Sequence, residues 1–262
     1  MKISNLLRTI RRGVLVILHL LFGIAATGLM RLRMGKHWYA TRYGQHLAQW
    51  WMQYMARLCG ICINQYGSPP AHPALFVANH ISFIDIIVVS ATTETIFLSK
   101  NSVRYWPLVG WLSSLGGVIY IKRGKRNMIA RIIDSIGEGL KEGRSIMVFP
   151  EGTTGYGLEP MKFHAGLFQA AINTDTKVQA IALRYCDTPE NCSSGKLDRT
   201  AAYIENDNLL VTLYRIIRRP RTIVHVKYCP TIESHEHNRN DLAKHCRQQV
   251  IDALAEDYVA NH

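Results

Sequence analysis

Apolar positions dominate the start of the chain. Residues 13–30 are interrupted only by His19 and Thr27. Eighteen helical residues at ~1.5 Å each span about 27 Å, just short of a bilayer's hydrocarbon core. Lys2, Arg8, Arg11 and Arg12 precede the run, and Arg31, Arg33 and Lys36 close it. A secretory signal also starts basic and turns apolar. This stretch is long for one, its Ala25-Ala26 pair lies inside the run, and basic residues follow it. Positive charge on both sides leaves the orientation open. It fits a helix set in one leaflet with both ends snorkelling to the same face. A second helical stretch is expected over residues 38–59. It is dense in Trp38, Tyr39, Tyr43, Trp50, Trp51 and Tyr54, with Arg42 and Arg57 among them, a mixture favoured at the headgroup level. Residues 1–62 therefore read as a membrane-associated helical hairpin.

Residues 64–74 hold Gly67, Ser68, Pro69, Pro70 and Pro73, which is loop chemistry and a boundary. From residue 63 to 262 short apolar runs alternate with helical ones. Strands are expected at 74–78, 95–98, 117–121, 145–149, 178–185, 201–204 and 222–228. Helices are expected at 81–90, 128–142, 166–173 and 241–258. The alternation predicts an α/β domain, a mixed sheet flanked by helices.

A hydrophobic fraction of 48% excludes disorder of the whole chain. The net charge of +12 suits nucleic acid, an anionic membrane, an anionic substrate or a solvated surface. No nucleic-acid-binding motif accompanies it, so no nucleic acid partner is expected. The six cysteines are scattered through a chain large enough to do without staples, and reduced thiols are expected. Cys59 and Cys62 form a lone CxxC in an apolar helical run, which reads as packing and not as a metal or redox site. His235, Glu236, His237 and His245 alternate on a polar segment and read as surface residues, so no metal site is expected.

Three segments carry candidate chemistry. The strand at 74–78 runs into Asn79-His80-Ile81-Ser82-Phe83-Ile84-Asp85. His80 lies where a strand gives way to a helix, a usual place for ligands in α/β folds. An imidazole steadied by a carboxylate can take a proton from a hydroxyl near neutral pH. The spacing is also open to a plainer reading, in which Asp85 caps a helix and His80 packs nearby. Phe149-Pro150-Glu151-Gly152-Thr153-Thr154 ends a second strand. Pro150 stops the strand and Gly152 allows close backbone approach, so backbone N–H groups there can face a phosphate or an oxyanion. Glu151 is a candidate to accept a hydroxyl proton or to pair with a base. A third strand ends in Ile121-Lys122-Arg123, and Arg123 can grip a phosphate through two parallel hydrogen bonds. Lys100 follows another strand and adds charge toward the same region. No GxSxG nucleophile elbow is present, which argues against a serine hydrolase. A thioesterase using His80, Asp85 and water stays open.

Together, in this order, the segments resemble the glycerolipid acyltransferase family, specifically the 1-acylglycerol-3-phosphate O-acyltransferases. Residues 79–85 look like the family's HxxxxD block, 117–123 like its second block and 149–154 like its FPEGT block. The resemblance covers roughly residues 70–185. It implies the glycerolipid acyltransferase fold, with His80 as general base, Asp85 as its orienter and Arg123 as the phosphate clamp. Glu151 and Gly152 would position the glycerol phosphate, with Thr153 beside them. It further implies acyl-coenzyme A or acyl carrier protein as co-substrate, no cofactor or metal for the chemistry, a lysophospholipid acceptor and a place on the cytoplasmic face of the inner membrane. Some positions depart from the pattern. The fourth block, 178–183, lacks its usual proline, Thr154 stands where Arg or Ser is common, and His164 stands where Lys is common. All of these touch acceptor recognition. Residues 201–210 look like a bacterial branch that acylates lyso-ornithine lipid.

Overall fold

The computed structural model describes residues 3–35, 38–71, 73–106, 109–115, 118–121, 128–157, 159–188, 201–203 and 208–256. Helix α1 (Ile3–Met34) and helix α2 (Arg42–Cys59) form an N-terminal hairpin. The Thr41 hydroxyl caps α2 by accepting from the Gly44 N–H at 3.0 Å. Gly60 ends it with φ 76°, a left-handed conformation that favours glycine.

Seven strands follow among the described residues: β1 (Ile61–Tyr66), β2 (Leu75–Ala78), β3 (Ile96–Lys100), β4 (Ile119–Ile121), β5 (Ile146–Val148), β6 (Val178–Cys186) and β7 (Thr222–Ile232). They form one sheet in the order β1-β7-β6-β2-β5-β3-β4. Strands β2 to β6 run parallel to one another, β7 is antiparallel to β6, and β1 is parallel to β7. The helices between them are α3 (Ile84–Thr92), α4 (Val109–Leu115), α5 (Met128–Lys141), α6 (Gln169–Asn173), α7 (Leu209–Ile217) and α8 (Arg239–Ala255).

The period-2 alternation of strand side chains divides the core. Phe76 and Ala78 of β2 pack with Val88 of α3, Ala56 of α2 and Ile216 of α7 on one face. Leu75 and Val77 pack with Ile136 of α5, Ala170 of α6 and Leu242 of α8 on the other. Covered on both faces, β2 is apolar at every position, as a central parallel strand must be.

The mixed, helix-flanked sheet is the architecture expected from the sequence. Several details differ. Strand β1 occupies residues placed at a helix end and in a loop, so Cys59 and Cys62 lie on different elements, separated by Gly60. Residues 201–203 are not strand, and Ile204 lies outside the described residues. Helices α4 and α7 were not anticipated. Cys59, Cys62, Cys229 and Cys246 are thiols, but Cys186 is disulfide-bonded, contrary to the expectation of reduced cysteines throughout.

Helix α1 (by length and composition able to cross a membrane) leaves most of its apolar surface uncovered. Leu7, Ile10, Val14, Leu18 and Phe22 are each at least half exposed. Its attachment to the domain is polar as well as apolar. The Arg12 guanidinium donates to the carbonyls of Ile217, Arg219 and Pro220 at 3.1, 2.5 and 2.9 Å, capping the end of α7. Val16 and Leu20 pack into the core beside α2 and α7.

His225 of β7 is buried, stacks on Tyr66 and has Nδ1 3.1 Å from the Tyr66 hydroxyl. Burial, with the Arg184 charge adding to it, pushes its imidazole down to about 4. The unfolded chain, with histidine near its usual ~6.5, therefore binds the proton first. Stability contributed here is present above that value and is lost as pH falls toward 4. The thermal unfolding midpoint of the detergent-solubilised protein should drop between pH 6.5 and 4, with a shallower drop for His225→Gln. Equal slopes would contradict the assignment.

Candidate functional site

Because β2 to β6 are parallel, their carboxyl ends lie along one edge, the usual ligand edge of such sheets. His80 stands two residues past β2 and Glu151 three past β5. Lys100 ends β3, in register with Ile121 at the end of β4. Arg123, two positions after Ile121 in sequence, lies outside the described residues.

Asn79 turns the chain out of β2. Its side chain both donates to the Leu183 carbonyl (2.9 Å) and accepts from the Leu183 N–H (2.8 Å), which continues the β2–β6 pairing after the backbone has left it. His80 follows. Its Nδ1 lies 2.8 Å from Asp85 Oδ2, and its side chain is 19% exposed while that of Asp85 is wholly buried. The carboxylate collects further donors. Oδ2 also accepts from the N–H groups of Ile81 (2.7 Å) and Ser82 (3.0 Å), and Oδ1 accepts from the Tyr185 hydroxyl (2.6 Å). A buried carboxylate demands such partners. Asp85 stands in the first turn of α3, does not cap that helix, and holds both the loop before it and the imidazole.

With Nδ1–H donated to Asp85, the second ring nitrogen, Nε2, carries the lone pair that a base needs. The ring lies flat on Phe149, with centroids 4.0 Å apart and planes 13° apart. Hydrogen bonding on one edge and stacking on one face fix the imidazole orientation.

Glu151 is buried as well. Its Oε1 accepts from the His80 N–H at 3.0 Å and its Oε2 from the Met161 N–H at 3.2 Å. Burial raises its carboxyl above the ordinary range, and these two hydrogen bonds oppose the rise. Both oxygens are engaged, so Glu151 braces the loop after β2 against the loop after β5. The Gly155 N–H donates to the His80 carbonyl at 2.8 Å and adds a second tie. Gly152 has φ 73°, and a Cβ on it would lie 3.5 Å from His164 Cδ2. Gly152 and Thr153 are both exposed and form the open lip beside His80. Thr154 donates to the Tyr203 carbonyl, and the Tyr203 N–H donates to the Ile81 carbonyl at 2.9 Å.

The structure brings His80, Asp85 and Glu151 together, with Gly152 and Thr153 on the same turn. Tyr185, Phe149 and Asn79 were not singled out from the sequence. The signal for Tyr185 is a hydroxyl on the face of β6 that also carries Ile181 and Leu183, where the alternation calls for an apolar side chain. Burial, and after it the Asp85 charge, push its phenol well above the usual value, so it stays a donor.

Comparison with known proteins bears on the family and the fold. A model of the acyltransferase family matches residues 36–184. A lyso-ornithine lipid O-acyltransferase of Pseudomonas aeruginosa is 37% identical over 258 residues, covering 97% of this chain and 94% of that protein. A 1-acyl-sn-glycerol-3-phosphate acyltransferase of Neisseria meningitidis is 32% identical over 197 residues, covering 74% of this chain and 75% of that protein. The crystal structure of the 1-acyl-sn-glycerophosphate acyltransferase PlsC from Thermotoga maritima shares the fold, with a TM-score of 0.67 at 17% identity, covering 97% of this chain and 98% of that one.

Replacing Tyr185 by Phe leaves Asp85 Oδ1 buried without that donor, a change of about 1–3 kcal/mol for a lost hydrogen bond. Turnover should fall on the order of tenfold, about 1.4 kcal/mol, with the acceptor KM little changed and the far-ultraviolet spectrum unaltered. An unchanged kcat would show that Tyr185 does not help to hold the dyad.

Proposed function

The chain belongs to the acyltransferase family, and we propose that it moves a fatty acyl group from a thioester to the free hydroxyl of a lysolipid at the inner membrane. One observation carries this reading: a partly exposed imidazole held at 2.8 Å by a wholly buried carboxylate, on the ligand edge of the sheet.

His80 Nε2 takes the proton of the acceptor hydroxyl as that oxygen attacks the thioester carbonyl. Asp85 steadies the imidazolium that forms. A tetrahedral oxyanion results and collapses. The new C–O ester bond stays, the C–S bond breaks, and the departing thiolate recovers the proton from His80. No covalent acyl-enzyme is needed, since the acceptor hydroxyl takes the place of a protein nucleophile. The donor is acyl-coenzyme A or acyl carrier protein as co-substrate, and the chemistry calls for no metal and no other cofactor. Gly152 and Thr153 meet the acceptor headgroup at the open lip, with Arg123 as the cation that the resemblance assigns to it and Lys100, at the end of β3, adding charge. Glu151 acts through the brace it forms under His80. The cytoplasmic face of the inner membrane is the side on which such thioesters are made, and α1 supplies the attachment.

For the acceptor, we infer lyso-ornithine lipid first. Similarity to a protein of that activity extends over 97% of the chain. The departures at His164, Thr154 and the proline-free fourth block fall where acceptor recognition is expected. The second reading is the sn-2 hydroxyl of 1-acylglycerol-3-phosphate, giving phosphatidic acid. It is favoured by similarity to the Neisseria meningitidis protein and by the phosphate-clamp pattern.

The test is a set of competition assays. Purified protein receives acyl-coenzyme A or acyl carrier protein with an equal mixture of the two lysolipids, and products are resolved by mass. Ornithine lipid should predominate. Predominant phosphatidic acid would reverse the acceptor assignment, and thioester loss without any lysolipid product would indicate a thioesterase. His80→Ala should lose at least about a thousandfold in rate while keeping its unfolding midpoint. Near-normal turnover in that variant would refute the base.

A further inference from the structure

Charge is distributed unevenly along this chain. Residues 1–84 contain nine Lys and Arg and no Asp or Glu, the first acidic side chain being Asp85. A second acid-free stretch, residues 208–232, holds Arg215, Arg218, Arg219, Arg221 and Lys227. The fold joins the two. Arg8 donates to the Arg218 carbonyl at 3.2 Å, Arg12 holds the carbonyls of Ile217, Arg219 and Pro220, and Gly13 faces Ile217. The start of α1 and the end of α7 thus meet in a band of arginines, of which Arg11, Arg218 and Arg221 are exposed.

Helix α7 has two unlike faces. Thr212, Ile216 and Ile217 are buried against the domain. Leu210, Val211 and Tyr214 point outward and are 69%, 44% and 42% exposed. Positions 210, 211, 214 and 218 fall on one helical stripe, and the Arg218 guanidinium lies 5.8 Å from the Tyr214 ring centroid. A stripe of large apolar side chains that ends in arginines suits the boundary between acyl chains and anionic headgroups.

We propose that α7 is a second membrane-contacting element, lying in the interface of an anionic bilayer beside α1. Leu210, Val211 and Tyr214 enter the acyl-chain boundary, while Arg11, Arg218 and Arg221 sit at the phosphates. The proposal rests on the reading of α1 as the membrane helix. Attachment of α7 to the exposed apolar helix α1, through Arg8 and Arg12, and the positive charge of the band where they meet identify a lipid surface as the occupant. The contact bears on the site because residues 201–203, which precede α7 in the chain, are hydrogen-bonded to it. Tyr203 is bonded to both Ile81 and Thr154 and packs edge-on against Phe83. Seating α7 in the interface sets how far His80 stands from the acyl-chain region.

The full chain with Cys62→Ser, which removes the exposed thiol, is labelled with an environment-sensitive fluorophore at Val211→Cys on α7. Parallel samples carry the label at Leu18→Cys on α1 or Lys244→Cys on α8, across the sheet. Each is reconstituted into phosphatidylcholine vesicles with or without phosphatidylglycerol, containing acyl-brominated lipid as quencher. Positions 211 and 18 should both be quenched and position 244 should not. Omitting phosphatidylglycerol should weaken quenching at 211 at least twofold and leave position 18 unaffected. Quenching at 18 with position 211 behaving like 244 would overturn the α7 proposal alone. No quenching at either would overturn the membrane reading beneath it. As a second measurement, Val211→Gln with Tyr214→Gln should transfer normally to detergent-dispersed acceptor and several-fold more slowly to acceptor in vesicles. Equal rates in vesicles would also contradict the proposal.

Discussion

One buried carboxylate organises the functional edge of this protein. Asp85 has no exposure, and water cannot reach it. A charge in that position is tolerable only if protein donors replace the water. The imidazole of His80, the N–H groups of Ile81 and Ser82, and the Tyr185 hydroxyl do so. Three of these donors come from the loop that Asp85 itself folds, and the fourth comes from β6, so the anion fastens that loop to the sheet. Satisfying the carboxylate and aiming the imidazole are a single arrangement. This is what a five-residue spacing after a strand accomplishes here.

Glu151 repeats the principle one strand away. It too is buried, and it too accepts backbone N–H groups, from His80 and Met161. The loops after β2 and β5 are therefore joined by a carboxylate bridge in addition to the Gly155–His80 hydrogen bond. A site held from two sides by rigid strand ends keeps the His80 ring in one orientation. Its open side lies at Gly152 and Thr153, which are exposed.

Much of this was legible in the sequence because the central parallel strands are buried on both faces. Unbroken apolar runs such as 75–78 and 146–148 mark β2 and β5 directly, and the polar residues at their ends mark the site. What escaped has a physical cause in each case. Strand β1 pairs only with β7 among the described residues, and it keeps Asn64 and Gln65 partly in solvent, so it offers no continuous apolar run. Helix α7 is apolar on nearly all sides, and its outward stripe hides the helical period. Tyr185 donates to a residue one hundred positions away, a pairing that only the β2–β6 register reveals. The disulfide at Cys186 shows that chain length alone does not decide the state of a thiol.

The central claim is that Asp85 holds the neutral His80 ring with its proton on Nδ1 and its lone pair on Nε2. Nitrogen-15 NMR of the histidine-labelled protein in micelles measures this directly, with His80→Gln identifying the resonance. The account predicts that the neutral ring shows a protonated, strongly hydrogen-bonded Nδ1 and a bare Nε2. A neutral ring protonated on Nε2 would contradict it, because no lone pair would then be available to the acceptor hydroxyl.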